Sequence, residues 1–97
     1  MGKIPMAAFI HLSKRDNSLL PGTVPEDIFW GLVEVSAIRS DKIIKALKDY
    51  FVDGKSRKVI CLDHDVNNGY LSTSIARMEK AHLLIKQMAY LYRTSNM

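Results

Sequence analysis

Ninety-seven residues with 47% hydrophobic and 25% charged side chains suit one globular core and exclude a two-domain architecture. Lys and Arg outnumber Asp and Glu by 14 to 10, a formal net charge of +4, which is compatible with a polyanionic partner without specifying one. The single cysteine excludes an internal disulfide, and no run approaches the roughly 18 uninterrupted apolar residues of a membrane span.

A chain of this length hides only about two-thirds of its unfolded surface, and oligomerisation is a common remedy. The apolar run Met6 to Ile10 is short, follows Pro5 and stops at His11, so no signal peptide is expected. Met6 also stands where a myristoylation signal takes Ser or Thr. The expected location is the cytoplasm. Residues 1–18 show no sustained period and read as a flexible N-terminal arm, ordered only when something binds it. Residues 19–93 read as one all-helical domain and 94–97 as a frayed tail.

Leu20-Pro21-Gly22 is a turn signal. Thr23 and Glu26 after it read as a capping box with Pro25 in the first turn, so the first helix is expected from there to about Ile38. Its apolar residues Ile28, Phe29, Trp30, Leu32, Val33, Val35, Ala37 and Ile38 surround most of the helix, which predicts burial on several sides. Ser40 caps a second helix, in which Ile43, Ile44, Leu47 and Phe51 recur at helical spacing before Gly54. Lys42, Lys45 and Lys48 share one of its sides, and with Lys55, Arg57 and Lys58 they concentrate positive charge.

Ser56 caps a short third helix to about His64, Val66 to Gly69 supplies turn residues, and a last helix of about 24 residues is expected from Tyr70 to about Arg93. No run alternates with period two, so the fold class is all-α, with four to five helices. Within it, residues 56–76 fit the frame of a helix-turn-helix, which demands a small residue in the first helix and apolar residues at set offsets in the second. Cys61 takes the small, buried place; Ile60, Val66, Leu71 and Ile75 face inward. Asn67, Asn68, Gly69, Ser72, Thr73 and Ala76 face outward, none bulky or acidic, as approach to DNA requires. His64 stands where an aliphatic residue is usual, and Asp65 where Gly often sits, although Asp tolerates the left-handed region.

Arg57, in the first turn of the motif, can clamp a phosphate or enter a narrow AT-rich minor groove. Lys55 and Lys58 add phosphate contacts through clustering, and Asn67 and Asn68 can meet bases or serve as turn former and N-cap. Tyr70, Ser72 and Thr73 are second-rank contacts. Cys61, Asp63, His64 and Asp65 are metal ligands in type only, because consecutive helical positions fan apart. With no nucleophilic triad order, no Gly-rich phosphate loop and no paired buried carboxylates, neither an enzyme nor a cofactor or small-molecule ligand is expected.

The blocks Leu19-Leu20-Pro21-Gly22, Ser40-Asp41-Lys42-Ile43-Ile44, Ala46-Leu47-Lys48-Asp49-Tyr50, Ser56-Arg57-Lys58, Cys61 and Asn67-Asn68-Gly69-Tyr70, with Ser72-Thr73 and Arg77, resemble the PapB family of enterobacterial fimbrial (adhesin) operon regulators. The resemblance runs from Leu19 to His82 with consistent spacing between blocks; only Leu62 to Asp65 departs from the family's Glu-Lys-bearing pattern. It implies a helical regulator, associated with the nucleoid, that binds double-stranded AT-rich promoter DNA as an oligomer, activates or represses according to site, and takes part in phase switching. It also implies DNA-binding roles for Arg57 and Cys61, and Arg77, just beyond the motif in the matching blocks, is counted with the expected DNA-binding residues.

In the last helix, Leu71, Ile75, Met78, His82, Ile85, Ala89 and Tyr92 recur at steps of four and three, and Ala81, Leu84, Met88 and Leu91 widen the arc. With the first helix, this is more apolar surface than one small core needs. Phe29, Trp30, Val33, Ile85, Met88 and Tyr92 are therefore the expected self-association residues. The rival to a DNA-binding regulator is an adaptor that binds another protein through the basic face and apolar helices. An RNA-binding module fits less well, since stacking aromatics on a sheet are missing.

Overall fold

The computed structural model describes residues 19–95; the expected N-terminal arm and the last two residues of the expected frayed tail lie outside them. Four helices follow in chain order: α1 (Glu26–Ser36), α2 (Asp41–Phe51), α3 (Arg57–His64) and α4 (Asn68–Ser95). Among the described residues there is no strand. The first three helices pack on α4, and α2 also touches both α1 and α3. The side chains that meet in the centre are Phe29 and Leu32 of α1, Ile43, Leu47 and Phe51 of α2, Ile60 of α3, and Leu71 and Met78 of α4, all fully buried. Each contributes about 1.5–3 kcal/mol relative to exposure.

The chain enters through a reverse turn. Thr23 N–H donates to the Leu20 carbonyl at 3.3 Å, with Pro21 second and Gly22 third at φ 74°, the residues a type II turn takes. Gly22 N–H and Val24 N–H then bond the carbonyls of Tyr50 and Phe51 at 3.1 and 3.0 Å, which ties the entry to the end of α2. There Gly22 meets Gly54, also at φ 74°, so closely that a Cβ on Gly22 would lie 3.0 Å from the Gly54 Cα.

The expected capping box does not form. The N-cap of α1 is Pro25, which has no side-chain oxygen to offer. Thr23 is consumed by the turn, its hydroxyl donating to the Leu20 carbonyl at 2.6 Å, while Glu26 accepts from the Trp30 indole N–H at 3.4 Å. The reason is local: a residue preceding proline is driven out of the helical region, so Val24 cannot be the first helical residue. At its other end α1 stops at Ser36, short of Ile38, where Ala37 turns left-handed at φ 60°. Nor is α1 covered all round: Phe29, Leu32 and Val33 are buried, whereas Ile28, Trp30 and Val35 are exposed.

The remaining starts follow the sequence pattern. Ser40 Oγ accepts from Ile43 N–H and Ser56 Oγ from Val59 N–H, both at 3.3 Å, each stabilising its helix by about 1 kcal/mol. Asp65 adopts the left-handed conformation that closes α3, at φ 53° and ψ 51°. Asn67 Oδ1 accepts from Tyr70 N–H at 2.7 Å, so the side chain caps α4 and the helix starts at Asn68. Gly69 is thus helical, and the connection ends before the expected Val66 to Gly69 turn does. The far end of α4 reaches Ser95, beyond the expected Arg93, with the Thr94 and Ser95 hydroxyls donating back to carbonyls at Tyr90, Leu91 and Tyr92.

His64 is accounted for by a polar link between α3 and α2. Its Nε2 lies 2.7 Å from Asp49 Oδ2, and Lys55 Nζ donates to the same oxygen at 3.3 Å. Partial burial pushes the Asp49 carboxyl up, but the hydrogen bonds from His64 and Lys55 and their charges outweigh this and hold it below the ordinary value. An aliphatic residue at position 64 would leave Asp49, itself shielded, with one partner fewer.

Two outcomes follow from these contacts. Gly22→Ala destabilises the fold by about 1–2 kcal/mol or more, because alanine is strained at positive φ and its Cβ collides with the Gly54 backbone; Ala37→Gly changes stability in the opposite direction. Thermal melts of the two variants check the signs. Because the Asp49 pKa is lower folded than unfolded, its contribution is present above about pH 4, the ordinary Asp value, and is lost as pH falls through the folded value. Asp49→Asn therefore lowers stability at neutral pH by about 1 kcal/mol and flattens the acid limb of a stability-against-pH curve.

Candidate nucleic-acid interface

α3, the three-residue link 65–67 and the first turns of α4 make a helix-turn-helix. Ile60, Val66, Leu71 and Ile75 are buried as the frame requires. Cys61 departs from expectation: it is only half-buried, packed at the edge of the core, because its side of α3 borders an open depression. That depression has a volume of about 440 Å³ and is lined by Arg57, Lys58, Cys61, Leu62, Val66, Asn67 and Asn68. Five of the expected DNA-binding residues, Arg57, Lys58, Cys61, Asn67 and Asn68, thus come together on one surface.

Arg57 sits at the centre of this arrangement. Its guanidinium carbon lies 5.4 Å from the centre of the Tyr50 ring, and Nη1 donates to Ser72 Oγ at 2.7 Å. One side chain on α3 therefore touches α2 and α4. Tyr50 in turn meets Phe51 edge to face at 4.9 Å, which anchors the stack on the core. A guanidinium carries five N–H donors, and the Ser72 bond uses one of them. Tyr50 was not among the expected site residues, although its position in the Ala46–Tyr50 block was a signal; a contact across helices cannot be read from spacing alone.

The electrostatics of the depression come from two helix starts. Arg57 and Lys58 occupy the first turn of α3, and Asn68 to Tyr70 the first turn of α4, with no acidic residue in either. The positive end of a helix dipole disfavours cations and favours anions. Placing Arg57 and Lys58 there costs local stability that a phosphate would recover, while the Asn67 and Asn68 amides add neutral donors and acceptors.

The other expected residues lie around or away from this surface. Tyr70 and Thr73 are exposed on α4, Thr73 with its hydroxyl donating to the Gly69 carbonyl at 3.0 Å. Ser72 is the acceptor for Arg57, and Lys55 is held by Asp49. The lysine line of α2 is partly neutralised: Lys42 lies 4.0 Å from Asp65 and Lys48 4.0 Å from Asp53. Arg77 points elsewhere, donating to the Ser36 carbonyl at the end of α1 at 2.9 Å, in a recess with Val35, Lys80, Ala81 and Leu84. Of the expected self-association residues, Phe29 and Val33 are core side chains with no surface to offer, whereas Trp30, Ile85, Met88 and Tyr92 are exposed. No helix of the described residues is long and apolar enough to cross a membrane.

Comparison with known proteins agrees with this geometry. A family model described as adhesin biosynthesis transcription regulatory protein matches residues 2–92. The Escherichia coli regulatory protein FanB is 46% identical over 90 residues, 93% of this chain and 90% of FanB. The Escherichia coli major pilu subunit operon regulatory protein PapB is 42% identical over 81 residues, 84% of this chain and 78% of PapB. Among solved structures, the crystal structure of Escherichia coli FocB superimposes with a TM-score of 0.74 at 39% identity, covering 91% of this chain and 99% of that one. These relatives are regulatory proteins and not enzymes, and the helix-turn-helix lies wholly inside the matched span: the chain belongs to the PapB family of adhesin biosynthesis transcription regulators.

Proposed function

We propose that this regulator binds AT-rich double-stranded promoter DNA of a fimbrial operon, cooperatively and as a homo-oligomer, activating or repressing according to site and taking part in phase switching. It acts in the cytoplasm, on the nucleoid. The observation that carries the reading is the convergence of two acid-free helix starts, α3 with Arg57 and Lys58 and α4 with Asn67 and Asn68, on one open depression. Arg57 supplies a preorganised guanidinium suited to a phosphate or to the enhanced negative potential of a narrow AT-rich minor groove. Lys58 and Lys55 add phosphate contacts, Ser72 is bonded to Arg57, and Tyr70 and Thr73 are exposed near the start of α4. Half-buried Cys61 keeps the floor of the depression small enough for close approach.

Self-association is supported by the exposed apolar side chains Trp30, Ile85, Met88 and Tyr92, which a small domain gains by covering. Neighbouring copies on repeated sites would convert weak individual contacts into tight occupancy. A protein adaptor would use the same apolar residues and the same basic face, and is told apart by having no steeply salt-dependent affinity for DNA.

Arg57→Ala keeps its helicity and loses about 1–3 kcal/mol of DNA affinity if the side chain reads a groove, or shows a smaller salt slope if it meets a phosphate. Titration of an AT-rich duplex at graded salt, alongside circular dichroism, distinguishes the cases; an adaptor would show no steep salt dependence even in the wild type. Met88→Lys leaves Arg57 to Ala76 folded, weakens self-association and makes the DNA isotherm shallower. Sedimentation of the wild type as a monomer at all concentrations, with and without DNA, would remove the oligomer from the account.

A further inference from the structure

Most of the large apolar side chains left outside the core lie on α1 and the far half of α4. Leu62 does not. It sits on α3, inside the helix-turn-helix, and is 74% exposed, more than any other large apolar side chain among the described residues. Helix geometry fixes its neighbours. Side chains four apart share a ridge, so Cys61 follows Arg57 and Leu62 follows Lys58, and all four line the depression. Asp63, about 100° further round the helix, does not line it. Asp63 and Asp65 are exposed, and their charge marks how far along α3 a polyanion can advance. The surface inside that limit offers two cations, a projecting leucine and the amides of Asn67 and Asn68.

A leucine left in water forgoes about 1.5–3 kcal/mol of burial, which is recovered only if the molecule that meets the cations also has an apolar surface to offer. In a DNA duplex the largest such surfaces are the faces of the stacked bases, reached by parting a base step. Minor-groove binding combines these residue types: Arg, Lys and Asn meet the groove edges, and an apolar side chain such as Leu or Met is driven between base pairs. Building on the promoter binding proposed above, we propose that Leu62 is a wedge. Flanked by Arg57 and Lys58 on one side and by Asn67 and Asn68 on the other, it enters the minor groove, parts two base pairs and bends the duplex toward the major groove. Pyrimidine–purine steps such as TA kink easily, so the wedge contributes sequence preference without a hydrogen bond to any base. The cations set affinity and its salt dependence; the leucine sets the shape of the DNA.

The test titrates the full chain into AT-rich duplexes that carry 2-aminopurine in place of adenine at each TA step in turn, with donor and acceptor dyes at the duplex ends. At saturation the wild type raises 2-aminopurine fluorescence at a TA step, and energy transfer reports a bend of about 20° or more. Leu62→Ala, which shortens an exposed side chain and leaves the melting temperature unchanged, abolishes both signals but keeps the wild-type salt slope. Its affinity falls by no more than about 10-fold, because the burial of the leucine and the cost of unstacking oppose each other. Leu62→Met retains both signals. Lys58→Ala does the converse, lowering the salt slope by about 1 while unstacking persists at saturation. Replacement of thymine by uracil changes nothing, since that methyl group lies in the major groove. Unstacking and bending that survive Leu62→Ala, or a bound wild type without them, overturn the wedge and leave promoter binding in place. So does an affinity loss on uracil substitution that Leu62→Ala removes, which would make Leu62 a reader of the thymine methyl. Weaker self-association of Leu62→Ala with unchanged DNA shape would instead make the residue a contact between copies, and also overturns the wedge. A wild type that ignores the duplex altogether removes the promoter reading itself, and the wedge with it.

Discussion

The crossing of α3 over α4 is the constraint on which the functional surface depends. Two helices joined by three residues can meet at a fixed angle only if the backbone reverses sharply and the space beneath is filled. Asp65 supplies the reversal at positive φ, a conformation that a bulky or β-branched residue would resist. Ile60, Val66 and Leu71 fill the space. Arg57 then spans the top of the crossing, stacked on Tyr50 and bonded to Ser72, and the His64–Asp49–Lys55 link holds the far end of α3 to α2. The depression between the two helix starts is a result of this angle; any change of crossing would separate Lys58 from Asn68.

Small size sets the second constraint. The core is shared by four helices and its fully buried side chains come from all of them, so little apolar surface is left over for independent stability. What remains is distributed outside: Ile28, Trp30 and Val35 on α1, and Leu84, Ile85, Met88 and Tyr92 on the far half of α4. In a monomer this surface is a liability; under the proposed self-association on DNA it becomes the means of assembly. The proposed DNA face near the start of α4 and the proposed association face near its end would be coupled by one long helix.

Much of this was legible in the sequence, and the parts that were not share a cause. Ser40 and Ser56 were readable as caps because capping is local, and Ile60, Val66, Leu71 and Ile75 because their spacing is periodic. Thr23 misled because the pattern Thr-x-x-Glu ignores the restriction that Pro25 imposes on Val24, and Gly69 misled because the Asn67 cap made a glycine turn unnecessary. Phe29 and Val33 were placed at an interface because a helix apolar all round does not declare which side meets its own core. The depression, the Tyr50 stack under Arg57 and the diversion of Arg77 to the Ser36 carbonyl are long-range contacts. Spacing along one chain carries no signal for them; family resemblance pointed to Arg57 and Cys61, but not to the depression that both line.

The central claim is that DNA meets the protein at the α3–link–α4 surface, and amide chemical-shift mapping during titration with an AT-rich duplex tests it most directly. The account predicts that the largest shifts fall between Arg57 and Thr73, centred on Arg57, Lys58, Asn67 and Asn68, with the Trp30 side of α1 moving only as copies associate. Shifts centred on α1 or the end of α4, with Arg57 to Thr73 unmoved under saturating DNA, would contradict it.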